Sequence, residues 1–219
     1  MTLKKSDFIE IEFTGRTEDG EIFDSNIKED LKKSNIDENK VQAKPFVFAL
    51  GHDMFLKGID EFLIGKPETQ KEYEIELKPE KAFGKRDSKQ IQMIPMNVFK
   101  EHNINPSRGA MFHFDGKVAK VISVSGGRVL VDFNNPLAGK NVIYKIKLLR
   151  KINNQEDKIN SLNKLFFNQE LEFEIKDKKL ILKLNPQSSQ LALMLKDKYK
   201  EILGLDLEVE EIKKETKKE

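Results

Sequence analysis

A strand that stops at a glycine and feeds at once into a short helix constrains this chain more than any other stretch. Within Lys44-Pro45-Phe46-Val47-Phe48-Ala49-Leu50-Gly51, residues Phe46, Phe48 and Leu50 alternate as the inner face of a half-buried strand does. Phe55, Leu56, Ile59 and Phe62 then recur at helical spacing until Gly65 ends the run. Elements joined so tightly send apolar side chains from both into one hollow. The residues alone fit two outcomes, a substrate hollow or ordinary core packing.

The flanking segments supply more strands. Phe8-Ile9-Glu10-Ile11-Glu12-Phe13-Thr14-Gly15-Arg16 has period-two character, and Glu18-Asp19-Gly20 turns it into Glu21-Ile22-Phe23-Asp24-Ser25, a hairpin. Asp24 taken alone fits a turn or capping residue. Residues 26–43 read as a polar loop with one short helix around Ile27, Leu31, Ile36 and Val41. Lys71 to Leu77 predicts a strand with Tyr73, Ile75 and Leu77 on one face, ended by a turn through Pro79 to Gly84. Beyond it, strands are expected at Met111–Phe114, Val118–Ile122 and Val129–Phe133, with hairpin turns at Asp115-Gly116 and Gly126-Gly127. This stretch, with Gln90–Ile94 and Pro95-Met96-Asn97-Val98-Phe99, reads as a small all-β unit. Asn134-Asn135-Pro136-Leu137-Ala138-Gly139-Lys140-Asn141 then returns to a strand over Val142–Leu149.

After a short linker at Asn153-Asn154-Gln155 comes a different composition. Asp157–Phe167 predicts a helix with Ile159, Leu162 and Phe166 near one face, and Leu171–Ile175 with Leu180–Leu184 predicts a hairpin. Pro186–Leu203 predicts one long helix carrying Leu191, Met194, Leu195 and Ile202, stopped by Gly204. Leu205–Val209 alternates again, before a Lys/Glu tail expected to fray. An α-β-β-α-β unit of this size has a marginal core, so docking or dimerisation is the expected route to stability.

Pro45-Phe46-x-Phe48-x-Leu50-Gly51, then an apolar pair, Lys57-Gly58 and Ile59, resembles the signature of the FKBP family of peptidyl-prolyl isomerases. Phe13-Thr14-Gly15, Asp19-Gly20 and Phe23-Asp24-Ser25 match its second signature, and Ala82-Phe83-Gly84 its third. Ile94-Pro95-x-x-Val98-Phe99, the small β unit and Asn135-Pro136-Leu137-Ala138-Gly139-Lys140-Asn141 resemble the SlyD branch, which carries an insert-in-flap chaperone domain. The resemblance covers residues 5–152. SlyD proteins end in a His-rich metal-binding tail that this chain lacks, and the extra C-terminal segment is most similar to that of the long archaeal FKBPs.

The resemblance implies an α+β fold, an FKBP antiparallel β-sheet wrapped on a short helix with an inserted small all-β domain, to which the periodicities read above add a C-terminal α-β-β-α-β domain. The implied division is an isomerase domain at 1–86 and 134–152, an insert-in-flap domain at 87–133 and a C-terminal domain at 153–219. It also implies a proline pocket of Phe13, Asp24, Phe46, Phe55, Leu56, Ile59, Phe83, Leu137 and Tyr144, with the Leu56 backbone N–H donating to a peptide carbonyl. Ile59 stands where short FKBPs have Trp, and Phe83 lacks the hydroxyl of the usual Tyr, so lower turnover and weaker macrolide binding are expected. The expected activity is rotation about Xaa-Pro bonds without covalent chemistry or cofactor, joined to chaperone binding of unfolded chains by the insert. Met93, Ile94, Met96, Val98, Phe99, Met111 and Phe112 are the expected client-binding side chains, since Met and aromatics suit promiscuous apolar surfaces. The alternative is a holdase with little isomerase activity.

Composition narrows the remaining classes. Of the 219 residues 35% are charged, yet the net charge is only +2, so no strong field points to nucleic acid or membrane. The glycine-punctuated strands from Gly109 to Val131 would suit an RNA-binding barrel, but they lack an aromatic stacking platform. His52, His102 and His113 fall in separate segments without metal-ligand spacing, so no metal is expected. The sequence has no Cys, which fits a reducing, cytoplasmic setting. Unfolded polypeptides with Xaa-Pro bonds are the expected partners, with a homodimer through the C-terminal segment.

Overall fold

A computed structural model describes residues 1–37, 41, 43–68, 71–114 and 116–212. The tail from Lys213 onward and Asp115 of the Asp115-Gly116 turn lie outside these. The described residues form two compact units, one of residues 1–75 with 143–219 and one of residues 76–142.

The first unit is built on a five-stranded sheet. Its strands are β1 (Phe8–Thr17), β2 (Ile22–Ser25), β3 (Phe46–Ala49), β4 (Lys71–Leu77) and β9 (Val142–Ile152), in the order β2-β1-β9-β4 with β3 also on β1. The length of β1 lets one of its edges serve two antiparallel partners, β2 and β3, while β9 lies on the other. Thr14–Arg16 pair with β2, with a register shift between Gly15 and Arg16, while Phe8–Ile11 pair with β3. A four-residue helix α1 (Lys28–Leu31) follows β2, and α2 (Lys57–Leu63) follows β3 with Ile59 and Leu63 fully buried. Ile9, Ile11 and Phe13 point inward, as the alternation requires. Phe8 is nevertheless 1% exposed, so this end of β1 is buried on both faces.

The C-terminal segment covers the second face. It consists of α4 (Gln155–Phe167), β10 (Phe173–Lys176), β11 (Lys179–Leu184), α5 (Pro186–Met194), α6 (Lys196–Leu203) and β12 (Asp206–Glu211). Its sheet runs β10-β11-β12, the first pair antiparallel and the second parallel. A parallel pair needs a crossover, and α5 and α6 provide it. Ile159 and Leu162 of α4, Leu180 and Leu182 of β11 and Tyr199 of α6 join Phe8, Ala49 and Ile152 in one buried cluster. The segment therefore has no core of its own that excludes the β1–β3 sheet. The single long helix expected over 186–203 is broken at Leu195, whose φ of −93° and ψ of 0° leave helical geometry. The expected apolar stripe breaks with it: Ile202 is buried, while Leu191 is 42% and Met194 82% exposed.

The second unit contains β5 (Ile91–Pro95), α3 (Met96–Glu101), β6 (Met111–Phe114), β7 (Lys117–Ser125) and β8 (Arg128–Asp132). Its antiparallel sheet runs β5-β8-β7-β6. The strands carry a short helix as well, because Pro95 in extended geometry caps α3 and presents Phe99 to the sheet. Phe99, Ala119, Val121, Val129 and Val131 form its core. Asn134 closes the base of this sheet: its amide accepts from Asp87 N at 2.8 Å and donates to Asp87 O at 2.9 Å. Arg86 pairs with Asp132 at 2.5 Å beside it.

Candidate functional site

The candidate site grows from the two strands that flank the first hairpin turn. Ser25 and Asn26, at the end of β2, fix the chain by replacing backbone bonds. Asn26 Oδ1 accepts from Phe13 N at 2.7 Å and Asn26 Nδ2 donates to Ile11 O at 3.0 Å. Ser25 Oγ donates to Phe13 O at 3.0 Å and lies 2.9 Å from Thr14 Oγ1, which in turn donates to Asp30 at 2.6 Å. These buried bonds hold Phe13 and Asp24 in place from beneath.

Five aromatic rings gather over that base. Phe13 meets Phe55 at 4.8 Å between centroids, Phe46 at 6.3 Å and Tyr144 at 6.1 Å. Phe55 meets Tyr144 edge-on at 5.6 Å, and Phe46 stacks on Phe48 at 5.3 Å with 13° between planes. Edge-to-face contacts of this kind add to the area the rings bury. Tyr144 Oη donates to Asp24 Oδ2 at 3.3 Å. Burial raises the Asp24 carboxyl above its usual range, with the Tyr144 hydroxyl and the Ser25 N–H opposing that rise. Burial, then the Asp24 charge, pushes the Tyr144 hydroxyl up as well, so it remains a donor.

The approach of β1 to Tyr144 leaves room only for glycine at position 15. A Cβ there would stand 2.8 Å from Tyr144 Cζ and 3.0 Å from Phe23 Cε2. Phe23 itself meets the Tyr144 ring at 5.8 Å. Phe13, Asp24, Phe46 and Phe55 face a cavity of about 620 Å³.

Of the expected pocket residues, the structure thus brings Phe13, Asp24, Phe46, Phe55 and Tyr144 together. Ile59 is fully buried in α2, and Leu56 caps that helix with its carbonyl, leaving its own N–H outside the helical ladder. Phe83 and Leu137 belong to the second unit, where Gly139 N donates to Gly84 O at 2.9 Å and ties their two loops together. Phe23 and Ser25, which the sequence placed only in the hairpin signature, and Asn26, which it did not single out, are further parts of the site. The signal for Asn26 was its place directly after Phe-Asp-Ser, a polar residue too close to the hairpin to be mere loop.

The expected client-binding residues separate by exposure. Met93 is 59% and Met111 54% exposed, on the edge strands β5 and β6. Ile94, Met96 and Phe112 are partly buried against the core of the unit, and Val98 is half-buried. Phe99 is a correction to the expected surface set: it is 1% exposed, because a sheet this small needs one large side chain at its centre. No group of three or more His, Asp or Glu side chains among the described residues could hold a metal ion. No helix among them is long and apolar enough to cross a membrane.

The comparisons with known proteins agree with the motifs. The chain is 32% identical over 146 residues to a short-type peptidyl-prolyl cis-trans isomerase of Methanocaldococcus jannaschii, covering 67% of this chain and 92% of that protein. It belongs to the FKBP-type peptidyl-prolyl isomerase family. FKBP-type relatives named SlyD include one from Pasteurella multocida, 28% identical over 68% of this chain and 69% of the relative. The FKBP-type 16 kDa isomerase of Escherichia coli K12 is 33% identical over 112 residues, 49% of this chain and 74% of its own. A family model described as FKBP26, IF domain, matches residues 92–137. Three FKBP domains of wheat FKBP73 align over 70% of this chain and 42% of theirs, at 14% identity and a TM-score of 0.35. In this FKBP-type chain the signature residues Phe13, Gly15, Asp24, Phe46 and Phe55 are those whose contacts build the aromatic site.

Proposed function

We propose that this FKBP-type protein is a folding chaperone that rotates Xaa-Pro bonds in the aromatic pocket and binds unfolded chains through its inserted sheet. The observation that carries the first half is the cage of Phe13, Phe46, Phe55 and Tyr144 around an Asp24 whose carboxylate is held by the Tyr144 hydroxyl. Rotation about a prolyl amide faces a barrier of about 18–20 kcal/mol that comes from resonance. The planar amide is more dipolar than the twisted one, so taking it out of water costs the ground state more than the transition state. An apolar cage does this without a nucleophile. The roles of Ile59 as floor, of the Leu56 N–H as donor to a peptide carbonyl, and of Phe83 and Leu137 in the pocket rest on the family motifs alone.

The second half rests on Met93 and Met111. Each stands opposite an outer-face residue, Leu130 and Lys120 respectively, on the side of the sheet away from Val129 and Ala119. Flexible methionines on exposed edges suit many apolar sequences. A client held by the insert remains tethered to the same polypeptide as the cage, which raises its effective concentration there. Association of two copies through the exposed Leu193 and Met194 of α5 belongs to the same reading.

Isomerisation of a proline tetrapeptide followed by NMR exchange tests the cage. Asp24→Ala and Tyr144→Ala should each lower kcat/KM tenfold or more, about 1.4 kcal/mol of lost transition-state binding. Unchanged kcat/KM in both variants sinks the assignment.

A further inference from the structure

The cavity that the cage opens into has a second wall, and the FKBP sheet does not make it. Helix α4 does. Its residues divide into two stripes. Ile159, Leu162 and Asn163 are buried against the sheet and α6, where Asn163 Oδ1 accepts from Tyr199 Oη at 2.8 Å. Asp157, Asn160, Ser161 and Lys164, at the complementary helical spacing, and Asn168, the left-handed C-cap of the helix, line the same cavity as Phe13, Asp24 and Phe55. Among the described residues the side chains of Asn160, Lys164 and Asn168 make no hydrogen bond or ion pair, and Ser161 uses only its proton, donated to Lys158 O at 2.8 Å. Leu165 adds an apolar side chain, 37% exposed, to this wall.

We propose that this stripe of α4 is an extended subsite for the client polypeptide flanking the proline, a substrate-positioning surface supplied by the C-terminal segment. The proposal rests on the isomerase reading, because the occupant is fixed by continuity. A chain whose proline sits among Phe13, Phe46 and Phe55 has its neighbouring residues in the remainder of the cavity. At 1.5 Å per helical residue, Asp157 to Asn168 spans about 16 Å, the length of roughly five residues of extended chain at about 3.3 Å each. The cavity of about 620 Å³ is correspondingly larger than one proline ring requires. The chemistry of the wall selects main chain over any particular side chain. A primary amide such as Asn160 both donates and accepts, as each peptide unit does, so it pairs with backbone of any sequence. Asp157 and Lys164 put both signs of charge on the stripe, which removes a bias toward acidic or basic clients. A chaperone that must accept many clients needs this kind of contact.

The test compares a tetrapeptide with a twelve-residue peptide of the same central Xaa-Pro sequence and polar flanks, using full-length protein. Asn160→Ala removes the amide, and Ser161→Trp fills the wall. The wild type should show a KM at least fivefold lower for the longer peptide. Asn160→Ala should reduce that advantage several-fold and Ser161→Trp should abolish it, with tetrapeptide kcat/KM within twofold of wild type in both. A length advantage that survives both substitutions overturns the subsite, as does an equal loss on both peptides. Should the wild type isomerise neither peptide, the isomerase reading has failed, and calorimetric titration with the twelve-residue peptide decides the subsite separately. Binding weakened by Asn160→Ala then supports it, and unchanged binding overturns it.

Discussion

Asp60 stores a pH dependence that can be measured without any substrate. It lies in α2 directly after Ile59, is 4% exposed, and no hydrogen bond of good geometry satisfies either carboxylate oxygen. Burial raises its pKa from 3.8 to about 6, the Gly51 and Asp53 N–H groups offset part of that rise, and the Asp53 and Glu61 charges add to it. The folded protein therefore holds a proton that the unfolded chain has released between pH 4 and 6. Stability contributed by this group is complete below the unfolded value and is lost as pH rises through the folded one. The shift of about two units corresponds to roughly 3 kcal/mol lost by neutral pH. Asp60→Asn keeps the shape and removes the titration, but its amide imposes a fixed cost of its own. That cost does not vary with pH, so the informative quantity is the change in the stability difference between pH 4 and pH 7.5. Urea unfolding followed by far-ultraviolet circular dichroism should show the variant gaining about 2–3 kcal/mol on the wild type across that range. A difference flat to within about 0.5 kcal/mol would refute the reasoning, showing that Asp60 ionises in the fold as freely as in the open chain.

Three further outcomes are expected. Gly15→Ala should displace the Tyr144 ring, lower stability by about 1–3 kcal/mol and reduce isomerase kcat/KM, whereas Gly20→Ala, with open space around it, should leave the activity intact. Met93→Glu with Met111→Glu should weaken suppression of aggregation of an unfolded protein at least threefold while sparing tetrapeptide isomerisation, and equal losses on both would refute the division of labour. Light scattering should give a dimer mass for the full chain and a monomer for Leu193→Glu with Met194→Glu, and an unchanged mass would remove the dimer.

Legibility in the sequence followed the range of the interactions. Phe46 to Phe62 could be read because a strand and a helix adjacent in sequence carry their own periodicities, and the Asp24 hairpin because its turn chemistry is local. The pairing of Tyr144 with Asp24 was reachable only through family motifs, since no periodicity links residues so far apart. What no local signal carried was the double burial of Phe8. The adjacent apolar residues Phe8 and Ile9 fit a strand covered on both faces, but they do not say what covers the second one. The same gap hid the cavity wall: nothing local to Asn160 and Lys164 says that α4 lies beside Phe13 and Phe46. The break at Leu195 was missed because a capped α5 and α6 in succession have the same composition as one longer helix.

The burial of Phe8 beneath Ile159 and Leu162 has a consequence for synthesis. Helix α4, which covers Phe8, is synthesised some 150 residues after it, a delay of about 8–30 s at 5–20 residues per second. Glu10 waits as long for Arg150, which it meets at 2.6 Å. Throughout that interval the nascent chain displays the sticky first strand of an unfinished sheet. While it is being made, this chain is itself an incompletely folded polypeptide of the kind proposed above as its client.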